Sequence, residues 1–136
     1  MISCQAKATI DSIGALSDFA EDCMNESAIG DGTKNKCLII IDEVVNNISS
    51  YAYPDGNGTL LFRIGIQKET NRIIMVFEDS GIPFNPITQE SPDLDGDADE
   101  RPIGGLGIFM VRKLSEDVQY SFENGRNILT VTVQIS

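Results

Sequence analysis

The fold of this chain is decided by the stretch LIIIDEVVNN, residues 38–47. Four consecutive apolar residues predict a helix that is apolar nearly all round, and a helix of that kind lies at the centre of a domain. We expect it to run from about residue 33 to residue 52. Glu43 and Asn47 are four residues apart, so they project from one face of this helix.

This polar pair has two interpretations. A carboxylate can accept a proton, and an amide oxygen can bind magnesium. Ile39 and Ile40 flank the pair, and apolar surroundings raise the pKa of a carboxylate. The alternative is an ordinary solvated face, which would also hold Lys36, Asn46 and Ser50.

Apolar periodicity and turn residues divide the rest of the chain into short elements. We expect an edge strand within residues 2–9 and a helix over 10–24. Further strands are predicted at 59–67, 72–78, 118–123 and 127–135, and a glycine-led helix at 104–114. This order predicts the α+β class, as a two-layer sandwich with a mixed, mostly antiparallel sheet and helices on one face.

Composition narrows the classes of function. A length of 136 residues fits one domain spanning 1–136. The formal net charge of −11 repels phosphate backbones and anionic lipids, so we expect neither nucleic acid nor a membrane as a partner. The absence of histidine removes serine–histidine and cysteine–histidine catalysis. Without a signal-peptide pattern or a bilayer-spanning apolar run, the expected location is the cytoplasm.

A second candidate site is Glu78-Asp79-Ser80-Gly81, directly after an apolar strand. A carboxylate at the end of a strand can accept a hydrogen bond from an exocyclic amine, and Gly81 would let the backbone approach a flat ring. The alternative is a plain turn, because Asp, Ser and Gly are common turn residues.

A third candidate site is the glycine-rich run from Gly104 to Gly107, which opens the predicted helix. Backbone N–H groups at a helix start are unpaired, and the helix dipole adds positive character, so the run suits phosphate. It lacks the Gly-Lys-Ser/Thr ending of a Walker loop. The alternative is that glycine only allows a loop to pack closely.

Between the second and third sites lies an irregular segment, residues 82–103. It holds Pro83, Pro86, Pro92 and Pro102, and an acidic stretch from Asp93 to Glu100. A structureless segment of this length in a compact domain is typical of a functional lid.

Together the three sites resemble a known family. Glu-x-x-x-Asn, then Asp-x-Gly, then a proline-rich lid, then Gly-Gly-Leu-Gly is the pattern of the GHKL ATPases, which share the Bergerat fold. The runs NISSYAYPDG, residues 47–56, and RPIGGLGIFMVRKL, residues 101–114, look most like the anti-sigma factor serine kinases. Tyr51 and Phe109 stand where many relatives carry histidine, outside the core motifs.

The resemblance implies roles for matching residues. Asn47 would ligate Mg²⁺ bridging the phosphates of ATP, and Glu43 would act as general base. Asp79 would recognise the adenine amino group, and Gly81 would line the base pocket. Phosphate contacts would come from Gly105 and Gly107 with the neighbouring backbone at Gly104 and Leu106, and Arg101 would reach the γ-phosphate. Thr130 on the last strand would support the adenine site.

The resemblance also implies a function. Members transfer the γ-phosphoryl group of ATP to a serine of a STAS-type antagonist protein, and they bind a sigma factor in a partner-switching pathway. A homodimer is one assembly that it implies, which the sequence itself does not decide. The alternatives are an ATP-gated binding module with little turnover and a stand-alone domain serving another signalling module.

Overall fold

A computed structural model describes residues 1–53, 55, 57–88 and 105–136. Five strands form one sheet in the order β1-β2-β3-β5-β4, and every neighbouring pair is antiparallel. The strands are β1 Ile2–Lys7, β2 Thr59–Gln67, β3 Arg72–Asp79, β4 Asp117–Glu123 and β5 Arg126–Gln134. The predicted α+β class and mostly antiparallel sheet are confirmed, with no parallel pair among the described strands.

Within the described ranges, three α-helices accompany the sheet: α1 Ile13–Glu26, α2 Asp31–Asn47 and α3 Gly105–Leu114. α2 packs against both α1 and α3, as expected for a central helix. The helix predicted to reach residue 52 is α-helical only to Asn47, and a π-helical turn, Ile48–Ala52, completes it. Within the described residues, none of the helices is both long enough and apolar enough to cross a bilayer.

The core lies between the helices and one face of the sheet. Strand alternation sends Phe62, Met75 and Val131 of three neighbouring strands to that face, and each is fully buried. Ile40 and Ile41 of α2 meet them from the helix layer. Burying a side chain of this kind contributes about 1.5–3 kcal/mol, so this layer is a main source of stability.

Helix α2 is not buried on every side. Ile39 is 41% exposed although it belongs to the four-residue apolar run. The sheet covers one side of the helix and α1 and α3 flank it, which leaves the remaining side open to solvent.

The β4–β5 hairpin and the pairing of β3 with β5 bring the site together. Asn124 and Gly125 join β4 to β5 with φ values of 55° and 76°, as a two-residue turn of this kind requires. Within the pairing of β3 with β5, Asp79 lies opposite Asn127. The end of β3 and the start of β5 therefore lie side by side at one end of the strands, next to the end of α2.

Candidate nucleotide site

A narrow cavity lies between the end of α2 and the neighbouring ends of β3 and β5. Its polar wall consists of Asn47, Asp79, Tyr120 and Asn127, and apolar residues such as Phe77 complete it. Its free volume is about 20 Å³, which is room for roughly one water molecule. Two residues singled out in different parts of the sequence, Asn47 and Asp79, thus meet in one cavity.

Asp79 is the acidic group of this cavity. It is the last residue of β3 and is only 5% exposed. Burial raises the pKa of its carboxyl group, and hydrogen bonds from Asn127 and Gly81 partly offset that rise. Both bonds reach Oδ1, each at 2.9 Å, so Oδ2 accepts no hydrogen bond from the described residues. An anchored carboxylate with one free oxygen can accept a hydrogen bond from a ligand amine.

Asn47 supplies an unsatisfied oxygen. Its side chain is 4% exposed, and its Oδ1 is buried without a hydrogen-bond partner among the described residues. An unpaired buried acceptor costs about 1–3 kcal/mol, so its retention calls for an explanation. Carboxamide oxygens are ligands of hard cations, and Mg²⁺ at nucleotide sites takes few protein ligands besides phosphate and water. Asn47 therefore fits the role of a magnesium ligand.

Glu43 lies one helical turn before Asn47 on α2, half-buried beside the cavity rather than on its wall. Burial, followed by the neighbouring charge of Asp42, raises the pKa of its carboxyl group. Glu43 makes no hydrogen bond or ion pair within the part of the chain that the structure describes. A carboxylate with a raised pKa and free lone pairs is suited to accepting a proton.

Gly81 packs against the π turn, where an added Cβ would lie 2.3 Å from the carbonyl oxygen of Ala52. Ile82 N–H donates to that same oxygen at 2.9 Å. Gly81 lies beside the cavity rather than in its wall, and its own N–H helps to anchor Asp79. The glycine is thus required by backbone packing, which also fixes the acidic group.

Thr130 is not brought to the cavity. The buried residues of β5 alternate along the strand, so Thr130 points to the opposite face of the sheet. They are Asn127, Leu129, Val131 and Val133. The residue that supports Asp79 is Asn127, which the sequence interpretation passed over. An asparagine in phase with buried Leu129 and Val131 was the signal that could have identified it.

Aromatic residues close the cavity from the segment after β3. Phe84 lines it and stacks on Tyr51, with ring centroids 4.7 Å apart and an interplanar angle of 15°. Pro86 also lines it, and Arg112 of α3 donates to the carbonyl oxygen of Ile87. The first residues of the predicted lid segment therefore cover the cavity.

The predicted phosphate contacts are described only in part. Arg101 and Gly104 lie outside the described residues, as does most of the segment 82–103. Gly105, Leu106 and Gly107 form the first turn of α3, as predicted for the glycine-led helix. The first N–H groups of an α-helix have no partner within the helix, so this turn offers donors to an anion.

Comparison with known proteins identifies the class. The model of the histidine kinase-like ATPase domain matches residues 6–133. The chain belongs to this family, which implies ATP binding, and the predicted resemblance is confirmed.

Curated relatives are serine kinases. The serine-protein kinase RsbW of Bacillus mycoides is 27% identical over 95 residues, which cover 67% of this chain and 58% of the relative. The serine/threonine-protein kinase BtrW of Bordetella bronchiseptica is 28% identical over 91 residues, covering 67% and 63%. The matches thus span about three-fifths of the length of these relatives.

Solved structures share the fold. A chain of the SiaB–SiaC complex from Pseudomonas aeruginosa superposes with a TM-score of 0.63 at 12% identity, over 99% of this chain and 90% of that chain. The RsbU and RsbW domains of a Mycobacterium tuberculosis protein give a TM-score of 0.62 at 13% identity, over 99% and 33%.

Proposed function

We propose that this chain is an ATP-dependent protein-serine kinase that phosphorylates a STAS-type antagonist and binds a sigma factor in a partner-switching pathway. The observation that carries the proposal is the meeting of Asn47 and Asp79 in one cavity, each with a side-chain oxygen left free for a ligand. The relatives named as serine kinases support the kinase assignment, and the complex of SiaB with SiaC shows that a protein of this fold has a protein partner.

In this proposal Asp79 recognises the adenine. Its Oδ2 accepts a hydrogen bond from the exocyclic amine, while Oδ1 stays anchored by Gly81 and Asn127. A nucleobase with a carbonyl oxygen at that position would meet the carboxylate as acceptor against acceptor. Asp79 thereby selects adenine over guanine.

At the other end of the nucleotide, Asn47 would hold Mg²⁺ through Oδ1, and a bound ion would supply charge neutralisation at the phosphates. The N–H groups of Gly105, Leu106 and Gly107 at the start of α3 bind phosphate oxygens, together with Gly104 and Arg101. Residues 82–103 act as a lid over the bound nucleotide. We take residues 1–136 as one ATP-binding domain that works in the cytoplasm, with a homodimer as its assembly.

Glu43 is the general base for transfer. The serine hydroxyl of the antagonist gives its proton to the Glu43 carboxylate as its oxygen attacks the γ-phosphorus. The bond from that phosphorus to the β–γ bridging oxygen breaks, ADP leaves, and phosphoserine forms. The raised pKa of Glu43 strengthens it as a proton acceptor.

The test is transfer of labelled phosphate from ATP to the cognate antagonist. We expect Glu43→Gln to slow transfer by about 10²–10⁴-fold while ATP affinity stays nearly unchanged, because only the proton acceptor is lost. Glu26→Gln is the matched control, since it makes the same change at an exposed carboxylate at the end of α1 and should transfer at close to the wild-type rate.

The outcomes separate the alternatives. Wild-type protein that fails to bind ATP in calorimetry contradicts the nucleotide site itself. Binding without transfer to a verified cognate antagonist contradicts the kinase and favours the ATP-gated binding module. Equal transfer by wild type and Glu43→Gln removes only the role of Glu43.

A further inference from the structure

The side chain of Asn127 is a buried junction of four hydrogen bonds. Its Nδ2 donates to Asp79 Oδ1 at 2.9 Å and to the carbonyl oxygen of Ile82 at 3.0 Å. Its Oδ1 accepts from Phe84 N–H at 3.0 Å and from the hydroxyl of Tyr120. Asn127 is only 5% exposed, so water does not compete for these bonds. Two of the four partners, Ile82 and Phe84, belong to the segment after β3.

We name residues 82–87 the strap. The carboxamide of Asn127 holds the strap by two hydrogen bonds: Nδ2 donates to Ile82 O, and Oδ1 accepts from Phe84 N–H. Its ring at Phe84 stacks on Tyr51, and its far end is held by Arg112 through Ile87 O. The strap is therefore fastened at both ends and in the middle across the mouth of the cavity.

A purine cannot enter while the strap stays in this position. The cavity holds about 20 Å³, room for roughly one water molecule, and Phe84 and Pro86 line it. Both Phe84 and Pro86 stand in the way, so we take entry to need a shift of the strap backbone, and a shift at Phe84 separates its N–H from Asn127 Oδ1. Asp79 does not move with the strap, because it lies within β3 opposite Asn127.

We propose that Asn127 is a positioning residue that couples nucleotide recognition at Asp79 to opening of the strap. With the strap closed, one N–H of Nδ2 donates to Asp79 Oδ1 and the other donates to Ile82 O. When the strap opens, the second N–H loses Ile82 O and Oδ1 loses Phe84 N–H, so only Asp79 and Tyr120 still hold the carboxamide that orients Asp79. The role rests on the proposed function, because it takes Asp79 as the adenine acceptor.

This role gives a kinetic signature that a merely structural residue would not. In Asn127→Ala the strap opens more readily, so a fluorescent ATP analogue should associate faster than with wild type. Dissociation should accelerate further, because Asp79 has lost a donor that orients it. We expect affinity to fall roughly 10-fold, within the range for one hydrogen bond to a charged group.

Two measurements on the nucleotide-free protein test the two ends of the carboxamide separately. Hydrogen exchange at the Phe84 amide should accelerate in Asn127→Ala, because its acceptor is gone. In Asn127→Asp the acceptor oxygen remains, so this amide should stay protected. Carboxyl NMR should show a higher pKa for Asp79 in Asn127→Ala, because this variant loses the donor that lowers that pKa without adding a charge.

Two control variants should leave the exchange rate of the Phe84 amide unchanged. Tyr120→Phe removes one bond to Asn127 Oδ1 and keeps both bonds to the strap, so exchange at Phe84 should remain near the wild-type rate. Thr130→Val lies on the same strand but faces the other side of the sheet, so it should change none of the readouts.

The failures can be told apart. Absence of ATP binding by wild type overturns the proposed function, and this role with it. Wild-type binding together with unchanged association and dissociation rates in Asn127→Ala overturns the coupling alone. Unchanged Phe84 exchange in Asn127→Ala, or an Asp79 pKa that does not rise in that variant, overturns it as well. Loss of Phe84 protection in Asn127→Asp, which keeps the acceptor oxygen, overturns it independently.

Discussion

Replacing Gly81 with alanine tests the packing that fixes the end of β3. The added Cβ would lie 2.3 Å from the carbonyl oxygen of Ala52 and 2.8 Å from its carbonyl carbon. Both are backbone atoms, so no rotation of a side chain relieves the overlap and one of the two segments must shift. A shift would lengthen two bonds of 2.9 Å, from Ile82 N–H to Ala52 O and from Gly81 N–H to Asp79 Oδ1.

The magnitude follows from these contacts. Overpacking a well-filled site costs about 1–3 kcal/mol. A neutral hydrogen bond contributes about 0.5–1.5 kcal/mol, and one to a charged group about 1.5–3 kcal/mol. Because relaxation exchanges overlap for weakened bonds, we expect Gly81→Ala to lower the free energy of unfolding by about 2–4 kcal/mol in total. A domain of ordinary stability, about 5–15 kcal/mol, remains folded after that loss.

Urea unfolding of wild type and two variants measures the effect. Gly14→Ala is the matched control, because Gly14 lies in α1 and its Cβ would have no atom within 4 Å. Alanine is favoured over glycine in helices by up to about 1 kcal/mol, so this variant should be as stable as wild type or more stable. The same chemical change then has opposite signs at two positions. Wild-type stability in Gly81→Ala, within about 0.5 kcal/mol, would refute the close contact.

Three further predictions concern the cavity and the core. Asn47→Leu should raise the free energy of unfolding of the nucleotide-free protein by about 1 kcal/mol, because it removes an unsatisfied buried oxygen. The same variant should abolish the strengthening of ATP binding by magnesium. A variant with lower stability and intact magnesium dependence contradicts both parts. Burial raises the pKa of Asp79 in the folded state above its unfolded value of about 4. The stability of wild type relative to Asp79→Asn should therefore fall as the pH rises from about 4 through the folded pKa. Urea unfolding at several pH values measures this difference, and a difference that does not change with pH would exclude the prediction. Burial raises the pKa of the Cys37 thiol to about 12, so iodoacetamide at pH 8 should label Cys4 well before Cys37. Peptide mass spectrometry of the labelled native protein measures this, and equal labelling of the two cysteines would contradict the buried position of Cys37.

Much of the fold follows from local sequence. Apolar alternation placed β2 at its observed bounds, Thr59–Gln67, and β3 within one residue of Arg72–Asp79. The Asn124-Gly125 pair between the two predicted strands is a local signal for the β4–β5 hairpin, because both residues tolerate positive φ. These signals are short-range, so a single sequence is enough to find them.

The end of α2 was harder to predict. No glycine or proline interrupts residues 48–52, and the pattern alone predicted a helix continuing to Ala52. The observed turn is π-helical, and Ala52 O meets Ile82 N–H from the segment after β3. This contact joins residues thirty positions apart, which local periodicity cannot indicate.

The candidate site shows the same division. Asn47 and Asp79 were found from residue type and spacing, and the structure places both on the cavity. Asn127 was missed and Thr130 chosen in its place, because their difference depends on which residue of β5 faces Asp79. Register between strands distant in sequence is a tertiary property, and a one-residue error in phase reverses the face.

The π-helical turn at the end of α2 has a consequence for how this protein can change over evolutionary time. A turn of this kind takes in one residue more than an α-helical turn. The extra residue is absorbed within the turn, so losing one residue there leaves the direction of the chain after it nearly unchanged, whereas losing one residue within the α-helical part, Asp31–Asn47, rotates all that follows by about 100°. After such a rotation the carbonyl of Ala52 would face away from Gly81 and Ile82, and the end of β3 would lose its support. Single-residue deletions should therefore be tolerated better within the turn than within the α-helix that precedes it.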